Sequence, residues 1–255
     1  FDKWKSGYYA QYFDAWWQED LKNMLVRDRN HPCVVLWSIG NELQEAWDGS
    51  DTGCRRAAML QDFVHEFEPS RQVCLAAQNR HNEKFSGVTD VVGYNYLEAR
   101  MLSDHKKFPE RRFLVTEELP YYCGAEGNIR SYDTNNPWNI IAENDFIAGG
   151  FLWTGTDYIG EAGVGIPAYH AGEGGFGAKF PCQLAYVGDF DITGFRRPAS
   201  YFRQIAAGLR SAPYIAVQNP HHYGQPLIKT PWVISDATHS WTWPGCEGKP
   251  AVVEV

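Results

Sequence analysis

The chain lacks the marks of several common classes of protein. No window approaches the roughly 18 consecutive apolar residues of a membrane span. Basic residues are few: 23 Lys and Arg face 31 Asp and Glu, for a net charge of −8. No basic stripe is present, which argues against nucleic acid or an anionic membrane surface as a partner. The six cysteines, at 33, 54, 74, 123, 182 and 246, show no C-x-x-C pair. With no His/Cys cluster beside them, a zinc site is not expected. Several adjoin apolar residues, as Cys33 does before Val34-Val35-Leu36, and buried free thiols are the expectation. Repeats, low-complexity tracts and a signal peptide are absent. The opening Phe1-Asp2-Lys3-Trp4-Lys5 reads as the interior of a domain, which leaves the compartment open, with a periplasmic or secreted parent among the options.

What is abundant is aromatic: 10 Trp, 14 Tyr and 14 Phe make 15% of the chain. Flat rings serve sugar C–H faces well, but they also fill cores. Apolar residues at spacings of three and four predict a helix over 8–27, stopped by Asn30-His31-Pro32. The β-branched run 33–39 then reads as a buried parallel strand. Helix over 51–67, strand 72–77, strand 88–96, helix 98–107, strand 113–116, helix 138–144, strand 148–153 and helix 199–209 follow. Five strands alternating with helices imply βαβ units and a parallel sheet. No Gly-rich phosphate loop follows the first strand, so a nucleotide-binding doubly wound sheet is disfavoured against part of a (β/α)8 barrel. Past residue 212 prolines punctuate short β-type runs, as if a β-sandwich begins there.

In a barrel, chemistry sits at the carboxyl ends of the strands. Those ends here are Asn41-Glu42, Asn95-Tyr96, Glu117-Glu118 and Trp153. Two carboxylates with an amide, a phenol and an indole suit glycoside hydrolysis, in which one carboxyl donates a proton and the other, ionised, attacks. Environment can hold the two in different protonation states.

The segment Arg27-Asp-Arg-Asn-His-Pro-Cys-Val-Val-Leu-Trp-Ser-Ile-Gly-Asn-Glu42 closely resembles the acid/base signature of glycoside hydrolase family 2. Thr116-Glu117-Glu118-Leu119-Pro120 resembles that family's nucleophile segment. Gly93-Tyr-Asn-Tyr96, Gly150-Phe-Leu-Trp-Thr-Gly155 with Asp157-Tyr158, and Gly188-Asp-Phe-Asp-Ile-Thr-Gly-Phe195 with Arg197-Pro198 match in the same order. The resemblance is greatest to bacterial β-galactosidases. It implies an α/β fold: a partial TIM barrel, strands four to eight, over residues 1–212, and the start of an immunoglobulin-like β-sandwich over 213–255. It implies Glu42 as acid/base, Glu117 as nucleophile, and Asn41, Tyr96, Tyr94, Trp153 and Asp157 as substrate-binding residues. The family's active-site Arg from the second strand has no counterpart, so a catalytically incomplete fragment or sugar-binding remnant is the rival reading. No redox cofactor is implied, and the residues for the divalent ion of some relatives are not evident. The partner is a carbohydrate, and open barrel edges invite self-association. The Asn-x-Lys pattern of glucuronidase relatives is not apparent after Trp153; β-mannosidase stays an alternative.

Each assignment has a plainer competitor. Glu118 competes with Glu117, but strand alternation points the two apart. Tyr94 shares strand parity with Tyr96, and either could partner the nucleophile or be a core phenol. Trp37 reads as core, His31 as a helix-end residue, and His221-His222 as a solvated pair. Asp157 and Glu161 either touch substrate or pin their loop.

Overall fold

The computed structural model describes residues 9–43, 50–77, 83–118, 137–160, 163–166, 168–169, 182–225, 232 and 236–255. They fall into two compact units, Phe1–Glu118 with Ile141–Phe151, and Leu119–Ile140 with Leu152–Val255. No helix among the described residues is long and apolar enough to cross a membrane.

The first unit is built on a five-stranded sheet in the order β1 (Trp37–Asn41), β2 (Val73–Ala77), β3 (Val91–Asn95), β4 (Arg112–Glu118) and β5 (Ile147–Leu152). The pairs β1–β2, β2–β3 and β3–β4 are parallel. Helices α1 (Phe13–Asp28), α2 (Asp51–Phe67), the single turn α3 (Glu83–Ser86), α4 (Glu98–Lys107) and α5 (Pro137–Ala142) alternate with the strands. Strand-helix alternation in one parallel sheet is the barrel arrangement expected for the chain. Helix α2 begins where Ser50 accepts a hydrogen bond from the Gly53 N–H (3.2 Å), a side-chain cap for an otherwise orphaned donor. Leu21 and Leu25 of α1 and Ala57, Leu60 and Val64 of α2 are buried with Trp37, Ile39, Val73 and Leu75 of the strands. Trp37 is core, and its indole N–H donates to Glu68 (2.8 Å). Gly93 is required by close approach: a Cβ there would lie 2.7 Å from the Leu75 carbonyl and 2.8 Å from the Thr116 methyl.

Several expectations need correction. The first strand starts at Trp37, four residues later than the β-branched run suggests, because Cys33 and Val35 are exposed and only the later residues pair with β2. The expectation of buried thiols holds for Cys74 and Cys246; Cys33 is exposed, Cys54 and Cys182 are half-buried, and Cys123 lies outside the described residues. Burial pushes the Cys74 thiol up to about 11. Strand β4 runs to Glu118, past Thr116.

In the second unit β6 (Tyr158–Ile159) pairs antiparallel with β7 (Leu184–Ala185). Helix α6 (Pro198–Ala206) follows, shorter at its end than expected. Tyr201 of α6 stacks on Tyr214 at 3.9 Å. Beyond residue 212 the regular pairing among the described residues is β8 (Ala216–Val217) against β9 (Val253–Glu254), antiparallel.

Candidate active site

The site forms where β1, β3 and β4 end. Two irregularities shape it. The β3–β4 register runs Tyr94↔Val115 and then Asn95↔Glu117, so β4 advances two residues for one on β3. Such a bulge lets neighbouring residues address one side. The Thr116 hydroxyl accordingly donates to Asn95 Oδ1 (2.6 Å), while Glu117 takes the Tyr96 hydroxyl. The β1–β2 register also shifts between Ser38 and Asn41. Glu42, the residue after β1, and Tyr96, the residue after β3, adopt left-handed φ values of 49° and 60°. For residues with a Cβ this conformation costs of order 1–3 kcal/mol and persists only where its surroundings hold it. Backbone bonds do so here: Glu42 N–H donates to Ala76 O (3.0 Å), and Tyr96 N–H to Glu117 O (2.8 Å).

Asn95, fully buried, is the hub. Its amide donates to Asn41 Oδ1 (3.0 Å) and to Glu42 Oε1 (3.1 Å). The Tyr96 hydroxyl donates to Glu117 Oε2 (2.5 Å). In a flat sheet β1 and β4, three strand steps apart, would be separated by about 14 Å. Asn95 and Tyr96, adjacent at the end of β3, bond Glu42 and Glu117 respectively, and the Glu42 charge acts on the Glu117 carboxyl, so the sheet curls toward its Glu42 and Glu117 face.

Burial pushes the Glu117 carboxyl above its ordinary range. The Tyr96 hydroxyl opposes that shift, the Glu42 charge adds to it, and the Asn41 and Asn95 amides oppose it; the net direction is upward. Protonating either glutamate relieves the repulsion between them. The Tyr96 hydroxyl, and more weakly the nearby Asn41 and Asn95 amides, favour the anionic form of Glu117; Asn95 donates to Glu42. The Tyr96 hydroxyl is the strongest of the influences that favour the Glu117 anion against the push of burial.

The structure thus brings Glu42, Glu117, Asn41 and Tyr96 together. It does not bring Tyr94 there. Tyr94 has no exposed surface, and its hydroxyl donates to Asp104 of α4 at 2.8 Å; it is a core phenol. The left-handed turn at Tyr96 breaks the parity that would have aimed both tyrosines alike. Asp157 is likewise corrected. Its side chain is fully buried, held by Arg197 at 2.6 and 2.5 Å and by the Gly188 N–H at 2.8 Å, so it pins its loop and is closed to a substrate. Trp153, in the second unit, packs edge-on against Tyr158 (6.1 Å) and Trp232 (6.4 Å). Glu161 lies outside the described residues. Glu118 is buried, unlike the half-buried Glu117, in keeping with the two pointing apart. Sequence reasoning noted Asn95 at its strand end but gave it no role, and it missed Thr116. A second buried acid, Glu98, starts α4; burial and then the Glu118 charge push its carboxyl up to about 7, and its Oε1 has no hydrogen-bond partner. Among the described residues no group of three or more His, Cys, Asp and Glu side chains could hold a metal ion.

A parallel αβ sheet that gathers two glutamates, an asparagine pair and a tyrosine at its carboxyl end defines a barrel site of the paired-carboxylate class. The family model for the TIM barrel domain of glycosyl hydrolases family 2 matches residues 10–175, and the chain belongs to that family. A β-galactosidase of Bacteroides ovatus is 29% identical over 80% of this chain and 31% of its own length. A putative β-glucuronidase of Formosa agariphila is 26% identical over 80% of this chain and 22% of its own. Among solved structures, a glycosyl hydrolase family 2 member from Bacteroides cellulosilyticus superposes with a TM-score of 0.80 at 33% identity, over 99% of this chain and 32% of that one. The chain therefore spans about a third or less of the length of these relatives.

Proposed function

We propose that this chain carries the catalytic centre of a retaining β-glycosidase, with a terminal β-galactoside as substrate. Glu42 protonates the glycosidic oxygen while Glu117 attacks the anomeric carbon, giving a glycosyl-enzyme. Glu42 then takes a proton from water, which releases the sugar. Tyr96 orients Glu117 and keeps it ionised. Asn41, anchored by Asn95, is placed to bind the sugar 2-OH, a contact that strengthens toward the transition state. One observation carries this reading: Asn95 and Tyr96, adjacent at the end of β3, bond Glu42 and Glu117 respectively, and the Glu42 charge acts on the Glu117 carboxyl.

The β-galactosidase of B. ovatus and the missing Asn-x-Lys pattern after Trp153 favour galactose over glucuronate. Residues 213–255 are proposed to open a β-sandwich. The outer strands of the described sheet, β1 and β5, are proposed to support self-association, which size-exclusion chromatography would detect. The test of function is hydrolysis of a p-nitrophenyl β-galactoside and its loss in Glu117→Gln. Proton NMR should show the β-anomer of galactose first. An α-anomer as the first product would overturn the double displacement, and hydrolysis undiminished in Glu117→Gln would overturn the nucleophile.

A further inference from the structure

The second unit carries a concave pocket of about 290 Å³ that the proposed reaction does not use. Trp241, Trp243, Glu247 and Lys249 are among the residues lining it. Trp241 is 64% exposed. Trp243 is half-buried, and its indole N–H donates to the Ser240 carbonyl at 3.0 Å, which fixes the ring. Two successive turns preassemble the wall: Cys246 N–H donates to Trp243 O (3.0 Å), and Lys249 N–H to Cys246 O (3.1 Å). Glu247 accepts from the Gly245 N–H at 3.2 Å, and Lys249 Nζ stands 3.7 Å from Cys246 Sγ. The rim therefore holds an acceptor carboxylate and a donor ammonium beside two indoles.

We propose that this pocket is a second carbohydrate-binding site, taking one pyranose ring of a neutral glycan. Indole faces offer a flat, polarisable surface to axial C–H groups, and rigid rings lose little entropy on binding. A carboxylate and an ammonium lining one pocket can bond different hydroxyls of a sugar while presenting no net charge, which disfavours a charged ligand. A wholly apolar ligand would strip water from both ions without replacing it. The volume lies at the small end of ligand pockets, about 300 Å³, the size class of a single sugar. The glycosidase reading enters only in the choice of a galactoside as probe, since the pocket shares no residue with Glu42 or Glu117.

The test is a fluorine NMR titration of protein labelled with 5-fluorotryptophan, using methyl β-D-galactopyranoside. Trp241→Phe and Trp243→Phe assign the two resonances. Both should shift saturably with the galactoside. Trp241→Ala, which removes an exposed side chain and leaves the fold intact, should weaken the Kd read at Trp243 by about tenfold, equivalent to the loss of ~1.4 kcal/mol. Lys249→Ala should weaken it in the same direction. Resonances that stay still, or that titrate identically in Trp241→Ala, overturn the proposal. Aryl galactoside hydrolysis is followed in parallel. Intact hydrolysis with silent indoles rejects the pocket alone, and saturable indole shifts without hydrolysis reject the galactosidase reading alone.

Discussion

Replacing Tyr96 with Phe isolates the hydrogen bond that distinguishes one glutamate from the other. The phenol donates to Glu117 Oε2 at 2.5 Å, and the carboxylate is half-buried. Phe retains the ring and leaves the backbone bond from Tyr96 N–H to Glu117 O available. A hydrogen bond to a charged group contributes ~1.5–3 kcal/mol. Burial already pushes the Glu117 carboxyl up, and Tyr96 is the largest influence opposing that push. Losing it should therefore raise the carboxyl further. A nucleophile must be ionised to attack, so activity is lost as pH falls through its titration. The acid limb of kcat/KM for an aryl β-galactoside should accordingly move to higher pH in Tyr96→Phe. Above that limb kcat/KM should still fall by about 10- to 100-fold, because Glu117 is less well oriented. The measurement is a pH–rate profile for the wild type and the variant. An acid limb that stays in place while the rate drops uniformly would show that Tyr96 only packs, and would refute the account of how Glu117 is kept anionic.

Other substitutions probe the same physics elsewhere. Asn95→Ala removes a fully buried amide that serves Asn41, Glu42 and Thr116; it should lower stability by ~1–3 kcal/mol and kcat/KM at least a hundredfold, read by urea denaturation and by hydrolysis. Glu98 has a folded-state value of about 7 against roughly 4.3 unfolded. The folded chain holds its proton more tightly, so this contribution to stability is full below about pH 4 and is lost as pH rises through about 7. The loss is about 3–4 kcal/mol at most. Glu98→Gln should flatten that dependence, and equal slopes between pH 5 and 8 in denaturant titrations of both proteins would disprove it. Arg197→Ala leaves the buried Asp157 carboxylate without its cation and should cost ~3–5 kcal/mol, whereas Arg203→Ala at the more exposed Asp189 pair should cost less; thermal melts compare them.

Much was legible in local pattern. The run ending in Asn41-Glu42, the strand ending in Glu117 and the helix over 51–67 follow from apolar periodicity and strand length, which depend on near neighbours. The strand-end rule for barrels then marks both glutamates before any contact is known. Side-chain direction was another matter. Alternation treats a strand as evenly extended, so Tyr94 and Tyr96 look equivalent and Thr116 and Glu117 look opposed. The β4 bulge and the left-handed backbone at Tyr96 cancel that regularity, sending Tyr94 to Asp104, Thr116 to Asn95 and Glu117 to the neighbouring Tyr96. The role of Asn95 was beyond local reading, because its partners lie 53, 54 and 21 residues away. Likewise, nothing near Asp157 in the chain announces Arg197, 40 residues on. The order of strands and the identity of the paired acids are properties of the sequence. Which tyrosine faces the acids, which amide holds Glu42 and which aspartate is sealed away were decided by tertiary folding, because hydrogen bonds between distant strands depend on curvature and register that local pattern does not encode.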